Sequence, residues 1–155
     1  MKVILLSGVS GSGKSTYAKE IKERKFAVPG ATEVISADTY FTQKGIYTYD
    51  ASKIAEAHNA CIRTFTNVCK IPCGIENLIV DNTNTTALEL APYVAIASAF
   101  GHEIELITFH ADAVKCAERN IHGVSLETCL RMQANLNVRV LPSYWNITSE
   151  TFNRV

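Results

Sequence analysis

Net charge is missing from this 155-residue chain: lysine plus arginine and aspartate plus glutamate number 15 each. A polyanion would feel no long-range pull, so any contact with one must rest on a local basic patch. Long apolar runs are missing too, and nothing approaches the ~20 residues a bilayer-spanning helix needs. The short run after Lys2, Val3 to Leu6, is closed by glycines and is too brief for a signal-peptide core. The five cysteines (Cys61, Cys69, Cys73, Cys116, Cys129) contain no CxxC pair and leave one over. That argues against a disulfide framework or metal site and for reduced, buried thiols. His58, His102 and His110 have no metal-ligand spacing. Repeats, low-complexity tracts and linkers are absent, which leaves one soluble, cytoplasmic domain over 1–155 as the expectation.

What is present is alternation. "VILLS" (3–7), "EVISA" (33–37), "NLIVD" (77–81) and "EIELITFH" (103–110) read as strands. Helical periods occupy 14–25, 50–65, 87–100, 112–120 and 125–137. Asp50 or Ser52 is the expected cap of the second helix, and Pro92 is expected near a helix start or at a kink. Strands alternating with helices imply parallel pairing and right-handed crossovers, hence a three-layer α/β sandwich. Ligands of such sheets bind beyond the carboxyl ends of the strands. Attention therefore falls on 8–15, 38–41, 81–84 and 110–112.

At the first of these, "GVSGSGKS" fits G-x-x-x-x-G-K-[ST] through Gly8, Gly13, Lys14 and Ser15, between a strand and a helix. Small residues let successive backbone N–H groups of Ser10, Gly11, Ser12, Gly13 and onward to Thr16 turn toward phosphate oxygens, and the helix N-terminus adds positive potential. Lys14 is expected to bridge the β- and γ-phosphates and Ser15 to ligate Mg²⁺. The loop reads as the site of a nucleoside triphosphate, and as an exposed one whose lysine can be removed without harm to the fold. Asp38, just past the second strand, is placed to accept a proton from an attacking hydroxyl; a turn or N-cap aspartate is the other reading. Asp81 is placed either to hold a water of the Mg²⁺ shell or to hydrogen-bond the loop. Arg119 precedes a Gly-containing turn between two helices, over about 117–125, which suits a lid that closes on phosphates; a surface ion pair is its other reading. His122 is open between phosphate donor and turn residue, and Trp145 between packing the tail on the sheet and flanking adenine.

The stretches "GVSGSGKST", "ISADTYF", "GIYTYD", "LIVDNTNTTALEL" and "CAERNIHGVSLETCLRM" together resemble the polynucleotide-kinase-type P-loop proteins, in the subgroup of the NEDD4-binding protein 2 kinase domain and its phage relatives. The likeness runs from about Lys2 to Leu136. It implies a kinase-type P-loop NTPase sandwich with a helical lid, and ATP-dependent phosphorylation of the 5′-hydroxyl end of DNA or RNA. It implies Asp38 as general base and Arg119 as a lid arginine on the donor phosphates. Phe41 stands where the phage type carries an arginine three positions past its base, and His122 stands where it has a second lid arginine. Phe41 or Tyr40 is then the expected platform for a terminal base, with acceptor-phosphate contacts expected from the 38–49 loop, the 81–84 turn or the lid. If the chain is phage-encoded, its compartment is the host cytosol. The rival readings are a kinase for a small metabolite, nucleoside or sugar nucleotide, and an ATP-binding nucleic-acid adaptor without turnover; the presence of a candidate general base weighs against the adaptor.

Overall fold

A computed structural model describes residues 1–23, 31–43 and 46–153. The elements in chain order are β1 (Lys2–Gly8), α1 (Lys14–Glu23), β2 (Ala31–Ile35), β3 (Thr42–Gln43), β4 (Ile46–Tyr47), α2 (Ile54–Lys70), β5 (Ile75–Val80), α3 (Ala87–Ala99), β6 (Glu103–His110), α4 (Ala113–Arg119), α5 (Leu126–Val138) and β7 (Thr148–Asn153). Five strands form one parallel sheet in the order β2-β5-β1-β6-β7, and β3 and β4 make a small antiparallel hairpin. This is the α/β fold of P-loop kinases.

The period-2 alternation of β1 decides the layers. Val3 and Leu5 face α2 and α3, where Ala57, Phe65, Leu90 and Tyr93 bury the larger core. Ile4 and Leu6 face the opposite way, toward Ala18 of α1 and Phe109 of β6. A third cluster, with Val9, Cys116, Cys129 and Leu136, lies beneath α4 and α5. Four cysteines are buried, Cys73 is exposed, and none is bridged. No helix among the described residues is long and apolar enough to cross a membrane.

Several boundaries differ from the sequence reading. The second strand ends at Ile35 because Ser36 leaves it to cap a 3-10 turn over Ala37–Phe41, its hydroxyl accepting from the Asp38 N–H. Asp50, rather than Ser52, caps the short 3-10 turn that leads into α2. Pro92 sits inside α3, not at its start; the carbonyl deprived of a partner belongs to Leu88, which is 83% exposed and open to water. The first helix, expected over 14–25, is described as far as Glu23, so Arg24 and Lys25 lie outside the described residues. A fifth strand, β7, was not foreseen. Its "TSETFN" sequence is polar because it pairs only on one side, with β6, and is largely exposed. Trp145 packs against the larger core with Leu141 and Ile147, fixing the tail to the sheet.

The ends of the strands are stitched together. Asp81 N–H donates to Ile35 O at 2.9 Å, and Gly8 N–H donates to Thr83 O at 2.8 Å. The carboxyl ends of β2, β5 and β1 thus meet at one edge, and the loop after β1, Asp38 and Asp81 sit there together.

Candidate active site

The loop after β1 turns tightly because its backbone passes close to α4. Gly11 has φ +86°, and a Cβ there would stand 2.3 Å from the Cys116 carbonyl oxygen. Neither the conformation nor the space suits a side chain. Gly11→Ala is therefore expected to lower stability by about 2 kcal/mol and to weaken nucleotide binding, checked by thermal unfolding with and without nucleotide. An unchanged midpoint and an unchanged shift on adding nucleotide would mean that α4 gives way freely.

Lys14 opens α1 but does not extend into solvent; it is 6% exposed. Its Nζ donates to Gly8 O at 3.0 Å, Val9 O at 2.8 Å and Ser12 Oγ at 3.4 Å. The expectation of an exposed, structurally dispensable loop lysine is thus corrected. Burial pushes its pKa down to about 8, against the opposing pull of Asp81 and Asp38. Ser12 is buried behind the loop, its side chain serving Lys14.

A cavity of about 340 Å³ lies above the loop. Ser10, Gly11, Gly13, Lys14, Ser15 and Thr16 form its floor; Asp38 and Asp81 form one wall; Arg119 and His122 form the other. Asp81 is hydrogen-bonded to the Ser15 hydroxyl, and burial raises its pKa more than Ser15 and Lys14 lower it. Asp38 is exposed, with the capping duty taken by Ser36, so its carboxylate is left to the cavity. Arg119 Nε donates to Lys115 O at 3.2 Å. Among the described residues no carboxylate lies within ion-pair distance of it.

The turn after α4 is organised by Asn120, whose carbonyl accepts from the His122 and Val124 N–H groups. Its amide donates to Ser10 Oγ at 2.7 Å, pinning this turn to the loop below. The His122 ring meets Tyr47 in a tilted contact, centroids 4.8 Å apart, so it touches the hairpin as well as the cavity.

A second cavity of about 460 Å³ adjoins the first. The two share Ser10, Asp38, Asn82, Thr83 and His122. Tyr47, Tyr49 and Phe41 wall it, but Phe41 is only 5% exposed and belongs to the core. Tyr40 lies outside both cavities, its hydroxyl donating to Glu56 Oε2 at 2.6 Å. The exposed aromatic surface is therefore that of Tyr49 and Tyr47, not the Phe41 or Tyr40 platform expected above.

Two supporting residues were not assigned roles from the sequence. Asn82 is buried; its carbonyl accepts from Ala37 N–H at 2.9 Å and its amide donates to Tyr93 Oη at 3.1 Å. It holds the peptide that carries Asp38. Arg139 donates to Ser7 Oγ at 2.6 Å, Asn84 O at 3.0 Å and Thr108 Oγ1 at 2.9 Å, clamping the ends of β1 and β6 to the 81–84 turn. Asn82 adjoins Asp81 at a strand end, which was a usable signal. Arg139 gave none.

Residues 3–122 match the family described as AAA domain. The chain is 34% identical over 140 residues to human NEDD4-binding protein 2, an alignment covering 84% of this chain and 7% of that protein. The chain thus spans less than a tenth of that relative's length. In structure it is similar to a chain of the Pnkp1/Rnl/Hen1 RNA repair complex, with TM-score 0.67 at 14% identity over 88% of this chain and 44% of that one. The Mycobacterium tuberculosis APS kinase CysC, in complex with AMPPNP and APS, gives TM-score 0.62 at 17% identity over 99% and 90%. At such identities the structural likeness speaks for the fold.

Proposed function

We propose that this chain, which belongs to the AAA domain family of P-loop proteins matched over residues 3–122, is an ATP-dependent kinase of 5′-hydroxyl ends of DNA or RNA. The observation that carries the reading is convergence. Lys14 at the start of α1, Asp38 in the turn after β2 and Arg119 at the end of α4 line one cavity that adjoins a second, aromatic one. The motif resemblance to the polynucleotide-kinase-type subgroup, together with 34% identity to NEDD4-binding protein 2, is the reason for preferring a polynucleotide acceptor; the structural neighbours, an APS kinase among them, speak for the fold.

In this reading Asp38 accepts the proton of the acceptor hydroxyl. The oxygen attacks the γ-phosphorus, and the bond to the bridging oxygen breaks with its electrons leaving on ADP. Lys14 and Arg119 neutralise the charge that accumulates on the transferring and leaving groups. The backbone N–H groups from Ser10 to Thr16 hold the donor phosphates. Ser15 and Asp81, an oxygen-only pair, suit Mg²⁺, which takes few protein ligands and keeps phosphates and water for the rest. Among the described residues no group of three His, Cys, Asp or Glu forms a cage of its own. A Mg²⁺ held by Ser15 and Asp81 would supply neutralisation of the donor's phosphate charge. Residues 117–125 act as the lid of a single domain.

The decisive assay compares transfer of labelled γ-phosphate to 5′-hydroxyl oligonucleotides, nucleosides and sugars side by side. Oligonucleotides should be the best acceptors, and a few nucleotides should suffice because the neutral chain offers no extended basic track. Acceptor binding should show a shallow salt slope, reflecting about one or two phosphate contacts. Transfer to sugars or free nucleosides alone would overturn the polynucleotide reading. Arg119→Ala should cut kcat roughly 10²-fold, the cost of one preorganised donor, with little change in acceptor KM. An unchanged kcat would reduce Arg119 to a surface residue.

A further inference from the structure

The larger cavity has a polarity of its own. Among the described residues that line it, Asp38 is the sole carboxylate and Arg131 of α5 the sole permanent cation. Arg131 is exposed and reaches no carboxylate within ion-pair distance among the described residues, although Glu127 precedes it by one helical turn. Tyr47 and Tyr49 line the same space. A volume of about 460 Å³ falls within the range of about 300–1,000 Å³ usual for small-molecule sites.

A ligand matched to this cavity has a hydroxyl for Asp38, a flat body for the tyrosines and an anion for the guanidinium. The described residues of the 38–49 loop and the 81–84 turn contain no lysine or arginine. Arg119, the lid arginine, lines only the smaller cavity. Lys44 of the 38–49 loop lies outside the described residues. Among the described residues lining the larger cavity, which include His58 and His122, the permanent cation open to an acceptor anion is Arg131 of α5.

We infer that Arg131 is the anion anchor of the acceptor cleft, binding the phosphate on the 3′ side of the sugar whose 5′-hydroxyl faces Asp38. This rests on the kinase reading for the identity of the hydroxyl, but not for the anion site. Arg131 sets which acceptor is held and leaves the phosphoryl chemistry to Lys14, Asp38 and Arg119. The guanidinium fork suits a phosphate because two N–H groups can meet two oxygens at once.

The test is equilibrium binding of thymidine 3′-monophosphate and of thymidine by titration calorimetry, with the donor site saturated by a non-hydrolysable ATP analogue. Wild type should prefer the 3′-monophosphate at least about tenfold, the scale of a charged hydrogen bond. Arg131→Gln should erase the preference, and Arg131→Lys should keep part of it. Both variants should retain the wild-type unfolding midpoint, since the side chain is exposed. In turnover, Arg131→Gln should raise acceptor KM for a 5′-hydroxyl dinucleotide by a similar factor and leave kcat and the KM for ATP in place. A wild-type protein without preference, or a glutamine variant that keeps it, overturns the inference. Wild type that binds with the preference but transfers no phosphate leaves Arg131 as an anion site and overturns the kinase reading. Transfer with an unchanged KM in Arg131→Gln does the reverse.

Discussion

Lys14→Met should lower phosphoryl transfer at least roughly 10³-fold, the upper range for loss of one preorganised charge donor. Methionine is the informative replacement because Lys14 is 6% exposed and its stem occupies space that alanine would leave empty. The ammonium now bonds two loop carbonyls and the Ser12 hydroxyl, and phosphate oxygens would recruit it from there. The same burial gives a second readout. A folded-state pKa of about 8, below the usual 10.5, means that the unfolded chain holds this proton more tightly. Folding stability should then rise as pH climbs from about 8 to about 10.5, and the methionine variant should lack that rise. Near wild-type turnover in Lys14→Met would remove this loop from the chemistry.

Asp38→Asn should cost roughly 10²–10⁴-fold in kcat, the usual worth of a positioned base, while ATP affinity stays within a few-fold. The amide matches the carboxylate in shape, and the backbone contacts that place residue 38 come from Ser36 and Asn82, which the change leaves alone. An equal fall in ATP affinity would instead identify Asp38 with metal or donor binding.

The parts of this site legible in the sequence are those whose function is local. The spacing from Gly8 to Ser15 dictates a loop conformation by itself, and Asp38 announces itself as an acid just past an apolar strand, even though that strand ends two residues earlier than its β-rich composition suggests. What escaped the reading depends on partners far along the chain. Asn82 meets Ala37 across 45 positions, and Arg139 meets Ser7 across 132. Asn82 at least adjoins Asp81 at a strand end, whereas Arg139 has no local reason to be where it is. Strand β7 escaped for a different reason: an edge strand with a largely exposed face carries no apolar alternation to detect. The burial of Lys14 escaped because a glycine-rich loop reads as surface until the α4 backbone is seen leaning on Gly11.

The strand order has a consequence for how the protein comes into being. β1, the earliest of the sheet strands along the chain, lies at the centre of the sheet between β5 and β6, so the "GVSGSGKS" loop precedes both strands that flank β1, at 75–80 and 103–110. Parallel pairings of this kind close long loops and are slow to form. The loop acquires its shape only when residues 103–110 are available to flank β1 and α4 follows to press on Gly11. A chain truncated before α4 should therefore lack the Cys116 carbonyl against which the Gly11 turn is set.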